Sequence, residues 1–437
     1  MRKLFALFVL GSLSLAAGCG GSGGGGSTPR GVPGAGSNVL DVVVDGGPTA
    51  TQPGGALYAN GLFASATICS PGSTSNCVTV DHLLVDTGSY GLRVLESEVS
   101  SLNLPGLTAS DGNQAYDCVA FADLSFLWGP VDQADVTLGG EVAPSLPIHI
   151  IASSNANIPS SCSSGNTTGN ENTQALLGAN GILGIGLEPT DCFFAGGSAC
   201  DPGSGVAIPI PAYYSCSGNT CNSQYVSVAN QVTNPVVAFS TDNNGVVVEL
   251  PSVSGSAATV TGSVIFGIGT ESNNQVPSTA TGFTLLCNTF TTAFEGQTFG
   301  ITDPNNCTGP GSFIDSGSNG LFFPDVNNFL PICPTNTPVG DLSAFYCPTS
   351  LQNLSATNED PNGGSTLVTN FSVDNAENLF TDPSTSSNAA FSTLAGANPA
   401  GFGFDWGLPF FYGRNVYSAI DATSVPSTLP PPPWWAY

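Results

Sequence analysis

Apolar runs in this chain are short, rich in β-branched residues and cut by Gly, Pro, Asn and Ser, and no stretch keeps a helical repeat. The first clear strand is Val39-Leu40-Asp41-Val42-Val43-Val44, so folding proper is expected to start near Asn38. Two later runs match each other. Residues 83–94 read Leu-Leu-Val-Asp-Thr-Gly-Ser-Tyr-Gly-Leu-Arg-Val, and residues 313–323 read Phe-Ile-Asp-Ser-Gly-Ser-Asn-Gly-Leu-Phe-Phe. Each predicts a buried strand that breaks at an aspartate, turns on a glycine and resumes as a second buried strand. Two or three further strands are expected after the first of these runs, over 119–131 and 134–140. Val236–Phe239 and Val246–Val248, on either side of Thr-Asp-Asn-Asn-Gly, carry a hairpin signal.

Asp-Thr-Gly-Ser alone is ordinary turn chemistry, because Asp, Gly and Ser all favour turns. Two copies with the same flanks make it an internal repeat. Asp86 and Asp315 then belong to separate lobes, and the symmetrical packing of two such lobes sets the turns face to face. Two carboxylates so placed cannot both ionise, and the pair holds one proton, which puts an acid and a base in one place.

At 437 residues, with 8% of them charged and abundant Gly, Ser, Thr, Asn and Pro, the chain predicts a mostly β protein of two or more domains. The net charge is −26, and Arg2, Lys3, Arg30, Arg93 and Arg414 are the basic residues, which excludes clustered phosphate contacts and hence nucleic acid. Such a balance describes a solvated acidic surface, and it also tolerates mild acid.

Met-Arg-Lys, an apolar run from Leu4 to Leu15 and Ala16-Ala17-Gly18-Cys19 predict an export signal over 1–18, too short to span a membrane as a mature helix. The Gly/Ser-rich stretch 19–37 predicts a flexible tether. Removing Cys19 from the 13 cysteines leaves 12, an even number, which in an exported chain predicts disulfides. Cys69 with Cys77, Cys192 with Cys200 and Cys216 with Cys221 bracket short loops; Cys287 with Cys307 and Cys333 with Cys347 follow, and Cys118 with Cys162 is left over. With His82 and His149 the only histidines and no Cys-x-x-Cys, neither a zinc site nor any cofactor is expected.

The two Asp loops resemble those of pepsin-like aspartic proteases, and within that group the chain is most similar to the bacterial lipoprotein family DUF3443. The resemblance covers about residues 40–421 and implies a bilobal fold with lobes 38–272 and 273–437 and the site in the cleft between them. It implies Asp86 and Asp315 as the catalytic dyad, acting on a peptide or protein substrate through an activated water. Ser89 and Ser318 would then bond the outer oxygens of their aspartates, Thr87 and Ser316 would bond across to the opposite loop, and Gly88 and Gly317 would let the backbone approach. Gly184 and Gly407 would pack behind the loops, where no side chain fits. Phe121 and Trp128 stand where such enzymes carry a flap, Trp128 reading equally as a core aromatic. Arg93 replaces a common Trp; it would either shift the dyad toward less acidic pH or pair with Glu96 or Glu98. The lipobox-like Cys19 implies lipid modification and attachment to the bacterial cell envelope, against a plain soluble secreted protein. A monomer is expected.

A serine hydrolase is excluded, because neither Ser89 nor Ser318 has the glycine two places before it that a nucleophile elbow requires. A dinucleotide motif around Gly184 lacks its third glycine. The alternative to a protease is a catalytically silent pepsin-like binding protein at the cell surface. The terminal Pro430–Tyr437 reads as an edge strand or a partner-binding tail.

Overall fold

The computed structural model describes residues 37–437 apart from 49–56, 122, 156, 165, 167, 195–196, 199, 202–211, 304–306, 308 and 399–402. Cys19, the export signal and nearly all of the tether lie outside the described residues. Strands dominate, and the longest helix among the described residues is Ala376–Thr381, begun by Asn375, whose side chain accepts from the Asn378 amide.

One sheet carries most of the molecule. Its centre runs through strands Glu141–Ile151, Tyr90–Leu95, Gly181–Ile185, Cys77–Asp86, Phe63–Cys69, Val39–Val44, Val260–Phe266, Gly245–Leu250, Arg414–Ala419, Trp434–Ala436 and Gly282–Thr284 in that spatial order. Burial follows the sequence pattern. Val39–Val44 hides its alternate residues, while Leu83–Asp86, Tyr90–Leu95 and Gly181–Ile185 are buried throughout, as strands covered on both faces must be.

The two Asp segments build the same three-stranded unit. In the first, Leu83–Asp86 runs parallel to Gly181–Gly184, and the chain turns and returns antiparallel to that same strand. In the second, Phe313–Ile314 runs parallel to Asp405–Trp406, and Leu321–Phe323 returns antiparallel to it. The returning strand is in each case also parallel to one more strand, at Arg93–Leu95 with His149–Ile151 and at Leu321–Phe323 with Ala395–Ala397. The fold is thus mostly β with two related halves. The division expected at residue 272 falls between Val260–Phe266 and Gly282–Thr284, which lie in the same sheet.

All six expected cysteine pairs are disulfides: Cys69–Cys77, Cys118–Cys162, Cys192–Cys200, Cys216–Cys221, Cys287–Cys307 and Cys333–Cys347. They fit an oxidising compartment. Among the described residues no helix is long and apolar enough to cross a membrane.

Two local readings are corrected. Pro235–Ala238 is a 3-10 turn rather than one arm of a hairpin, because Pro235 holds its first position and the Asn234 side chain caps the Val236 amide. Gly245–Leu250 pairs instead with Val260–Phe266 and Arg414–Ala419. The C-terminal Trp434–Ala436 is neither edge nor tail: it lies buried between Arg414–Ala419 and Gly282–Thr284, and the Tyr437 hydroxyl accepts from the Asn358 amide.

Candidate active site

Asp86 ends its strand directly opposite Gly184, and after the turn Gly91 also lies opposite Gly184, so one glycine serves both limbs of the loop. A Cβ on Gly184 would sit 2.6 Å from the Tyr90 amide nitrogen, and one on Gly407 would sit 2.1 Å from the Gly320 carbonyl oxygen. Both glycines therefore occupy the positions expected of them, behind the loops, where backbone meets backbone.

The loops are tied to each other by a reciprocal set of hydrogen bonds. The Thr87 amide donates to Ser316 Oγ at 3.1 Å, and the Ser316 amide donates to Thr87 Oγ1 at 2.9 Å. Each hydroxyl then donates to the carbonyl before the opposite aspartate: Ser316 Oγ to Val85 at 2.7 Å, and Thr87 Oγ1 to Ile314 at 3.4 Å. Every polar atom in this lattice is buried and partnered, which fixes the two turns relative to each other. The carboxyls follow. The Gly88 amide reaches Asp86 Oδ1 at 2.8 Å and Asp315 Oδ1 at 3.1 Å, so two inner oxygens share one donor. A Cβ on Gly88 would fall 2.5 Å from the Asp315 carboxyl carbon, which is why this position is glycine. Gly317 donates to Asp315 Oδ1 at 2.8 Å, and Ser318 Oγ donates to Asp315 Oδ2 at 3.0 Å.

Electrostatics at the pair follow from burial. Asp86 is 0% exposed and Asp315 1%. Burial first, then the neighbouring Asp86 and Asp405, push the Asp315 carboxyl well above the carboxylate range. The proton this requires belongs to the pair. Tyr90 and Tyr58 are the nearby hydroxyls: both are buried and kept neutral, Tyr90 by burial and Glu188, Tyr58 by burial and Glu171, and the charges of Asp86 and Asp315 reach both.

Three expectations are revised, at Ser89, Phe121 and Arg93, while for Trp128 the core reading holds. Ser89 Oγ is buried without a hydrogen-bond partner among the described residues, so the first loop lacks the bond that Ser318 makes in the second. Phe121 and Trp128 are core side chains at 1% and 2% exposure, not cleft contacts. Phe121 packs with Tyr58, Phe63 and Leu84, while Trp128 stacks on Tyr116 and meets Tyr214 edge-on beside Cys118–Cys162. Their hairpin, Ala115–Ala120 with Ser125–Leu138, does not hang free, because Tyr213–Ser217 pairs with its outer strand and the Cys118–Cys162 bridge pins it. Arg93, finally, is occupied elsewhere. Its buried guanidinium pairs with Asp117 and, at 2.9 Å, with Asp191, and it donates to His149 Nδ1 at 2.8 Å. That bond requires neutral His149, in line with burial and the Arg93 charge holding its pKa well below the usual histidine value. Glu96, one suggested partner of Arg93, takes the Ser153 amide and hydroxyl instead.

A residue of the site that the motifs did not mark is Asp405. It is 0% exposed, and Ser318 Oγ lies 2.7 Å from its Oδ2. Setting Ile182-Leu183-Gly184 against Asp405-Trp406-Gly407 would have shown it, as an acid where the first copy has isoleucine.

A family model described as "Protein of unknown function (DUF3443)" matches residues 34–437. The chain belongs to the DUF3443 family. A comparison with curated proteins finds no match. Among solved structures, the aspartic proteinase from Irpex lacteus is similar at 14% identity with a TM-score of 0.41, over 87% of this chain and 93% of that one. In this DUF3443 protein, then, two aspartates from related β units meet in one buried, cross-bonded site, with a third acid bonded behind the second.

Proposed function

We propose that this chain is an exported aspartic endopeptidase in which Asp86 and Asp315 activate a water against a peptide bond. What supports the reading is the reciprocal bonding of the two Asp loops, which brings Asp86 Oδ1 and Asp315 Oδ1 to the same Gly88 amide, with burial holding the Asp315 carboxyl well above the carboxylate range. The ionised member of the pair takes a proton from water as its oxygen attacks the scissile carbonyl carbon. The protonated member donates to the carbonyl oxygen, giving a tetrahedral diol without a covalent enzyme intermediate. Thr87 and Ser316 take no proton themselves; they fix the two loops relative to each other.

The export signal and Cys19 support lipid attachment to the cell envelope, and the six disulfides support an oxidising location there. A second reading, a silent binding protein of the same fold, is favoured by two observations: both carboxyls are buried, and the hairpin at 115–138 is pinned. The test is turnover of an unfolded protein substrate from about pH 3 to about pH 8 by the purified chain beside Asp86→Asn and Asp315→Asn. Cleavage by the parent and a loss of about a hundredfold or more in each variant supports the peptidase. Equal inertness of three well-folded proteins supports the binding protein.

A further inference from the structure

Ser318 stands between two acids. Its Oγ is 3.0 Å from Asp315 Oδ2 and 2.7 Å from Asp405 Oδ2, and all three side chains are buried. A hydroxyl has one hydrogen and can donate to only one of them. The other contact exists only if that carboxyl carries a proton and donates to Ser318. The surroundings decide which. Asp315 Oδ1 already receives the Gly88 and Gly317 amides, whereas Asp405 Oδ1 is buried with no hydrogen-bond partner among the described residues. Strands bearing Phe313 and Phe322 flank Asp405 on its two sides. An ionised carboxylate there would be fully buried with a single donor and would face the Asp86 and Asp315 carboxyls, while a neutral acid is satisfied by donating.

We propose that Asp405 is a protonated positioning residue of the site: Asp405 Oδ2–H donates to Ser318 Oγ, and the Ser318 hydroxyl is thereby turned to donate to Asp315. This rests on the peptidase reading for its catalytic consequence but not for its protonation. The cluster of three acids then holds two protons, one on Asp405 and one shared by Asp86 and Asp315. Asp405 never touches the substrate. The asymmetry of the two loops follows, because Ser89 has Ile182 at the matching register and no second acid to orient its hydroxyl. The titratable groups that face Asp405 are Asp315, through Ser318, and Asp86 on the opposite loop; the strands Phe313–Ile314 and Leu321–Phe323 bring none. Raising the pH enough to ionise Asp405 reverses Ser318, removes a donor from Asp315 and sets a further negative charge behind the dyad.

The test uses Asp405→Asn, which keeps a donor but cannot ionise, and Asp405→Leu, which restores the first-lobe pattern. Thermal unfolding midpoints are measured against pH for the whole chain, with no need for activity. The parent folding constant is expected to fall, as pH rises through the ionisation of Asp405, by up to about tenfold per pH unit more steeply than that of Asp405→Asn. On unfolded protein substrate, Asp405→Asn is expected to move the alkaline limb of kcat/KM upward and to recover most of what Asp405→Leu loses. Parallel stability curves for parent and Asp405→Asn would overturn the protonation. A moved stability slope with an unmoved alkaline limb in an active parent would overturn the positioning role. An inert parent with a moved slope would leave Asp405 protonated and fail the peptidase reading instead.

Discussion

Thr87 and Ser316 are the residues on which the two halves agree, and each both donates and accepts across the join. Replacing Thr87 by Val keeps the shape and removes the hydroxyl, stranding the Ser316 amide without an acceptor. The expected cost is about 1 to 3 kcal/mol by denaturant unfolding, and Ser316→Ala should cost about as much. Because both sit in one lattice, the double variant should lose less than the sum. Arg93 gives a sharper case. Its removal leaves Asp117 and Asp191 buried without a counter-charge, so Arg93→Met is expected to destabilise by about 3 to 5 kcal/mol. Its effect belongs to folding: the guanidinium is neutralised within its own cluster, so kcat/KM against pH should keep its shape. A shifted profile in a stably folded variant would return Arg93 to the dyad.

At the scale of elements, the strand–turn–strand unit was legible because its information is local. An apolar run, Asp, a small residue, Gly and another apolar run specify a buried strand that ends at a turn, and repetition specified the partner. Gly184 and Gly407 were marked by the family resemblance, and the structure gives the physical reason for them: a Cβ at either would enter backbone. Gly184→Ala and Gly407→Ala should therefore each cost about 1 to 3 kcal/mol or prevent folding, whereas Gly309→Ala, whose Cβ would meet only Ile301 at 3.5 Å, should stay within about 0.5 kcal/mol. The hairpin near residue 121 was legible as a hairpin and misleading as a flap. What pins it is a strand about ninety residues on, Tyr213–Ser217, and such long-range pairing leaves no periodic trace at the site it restrains. The same holds for the last residues. Trp434–Ala436 read as an edge strand or a partner-binding tail because the strands on both sides of it, at 414–419 and 282–284, come from elsewhere in the chain. Arg93 and Asp405 share this cause: a charge is conspicuous in sequence, but its partners, Asp117, Asp191 and Ser318, are set by tertiary packing.

The whole molecule is an acidic body with acids inside it, and both features bear on how stability depends on pH. Burial raises the carboxyls of Asp315, Asp405 and Glu171 well above their ordinary range and that of Asp132 to about 6. For such groups the folded value lies above the unfolded one, near 4 for Asp and Glu. Their stabilising effect is complete below about pH 4 and is lost as pH rises through the folded values, for Asp132 around 6. Glu96 and Asp45 act in the opposite sense. The Ser153 side chain and amide hold Glu96 down; His82 and the Gly47 amide hold Asp45 down against burial. These contributions are present at neutral pH and lost as pH falls through the lowered values. Self-repulsion of a chain with a net charge of −26 at pH 7 adds to the loss on the alkaline side. The unfolding midpoint is therefore expected to peak at about pH 4 to 5 and to decline steadily toward pH 8. Salt separates the two causes: at pH 8 it should restore the part due to surface repulsion, which it screens, and leave the part due to buried carboxyls. A midpoint that is flat or rises between pH 5 and pH 8 would mean that the interior acids are ionised in the native state, and would remove the physical basis for a proton held at the Asp86 and Asp315 pair.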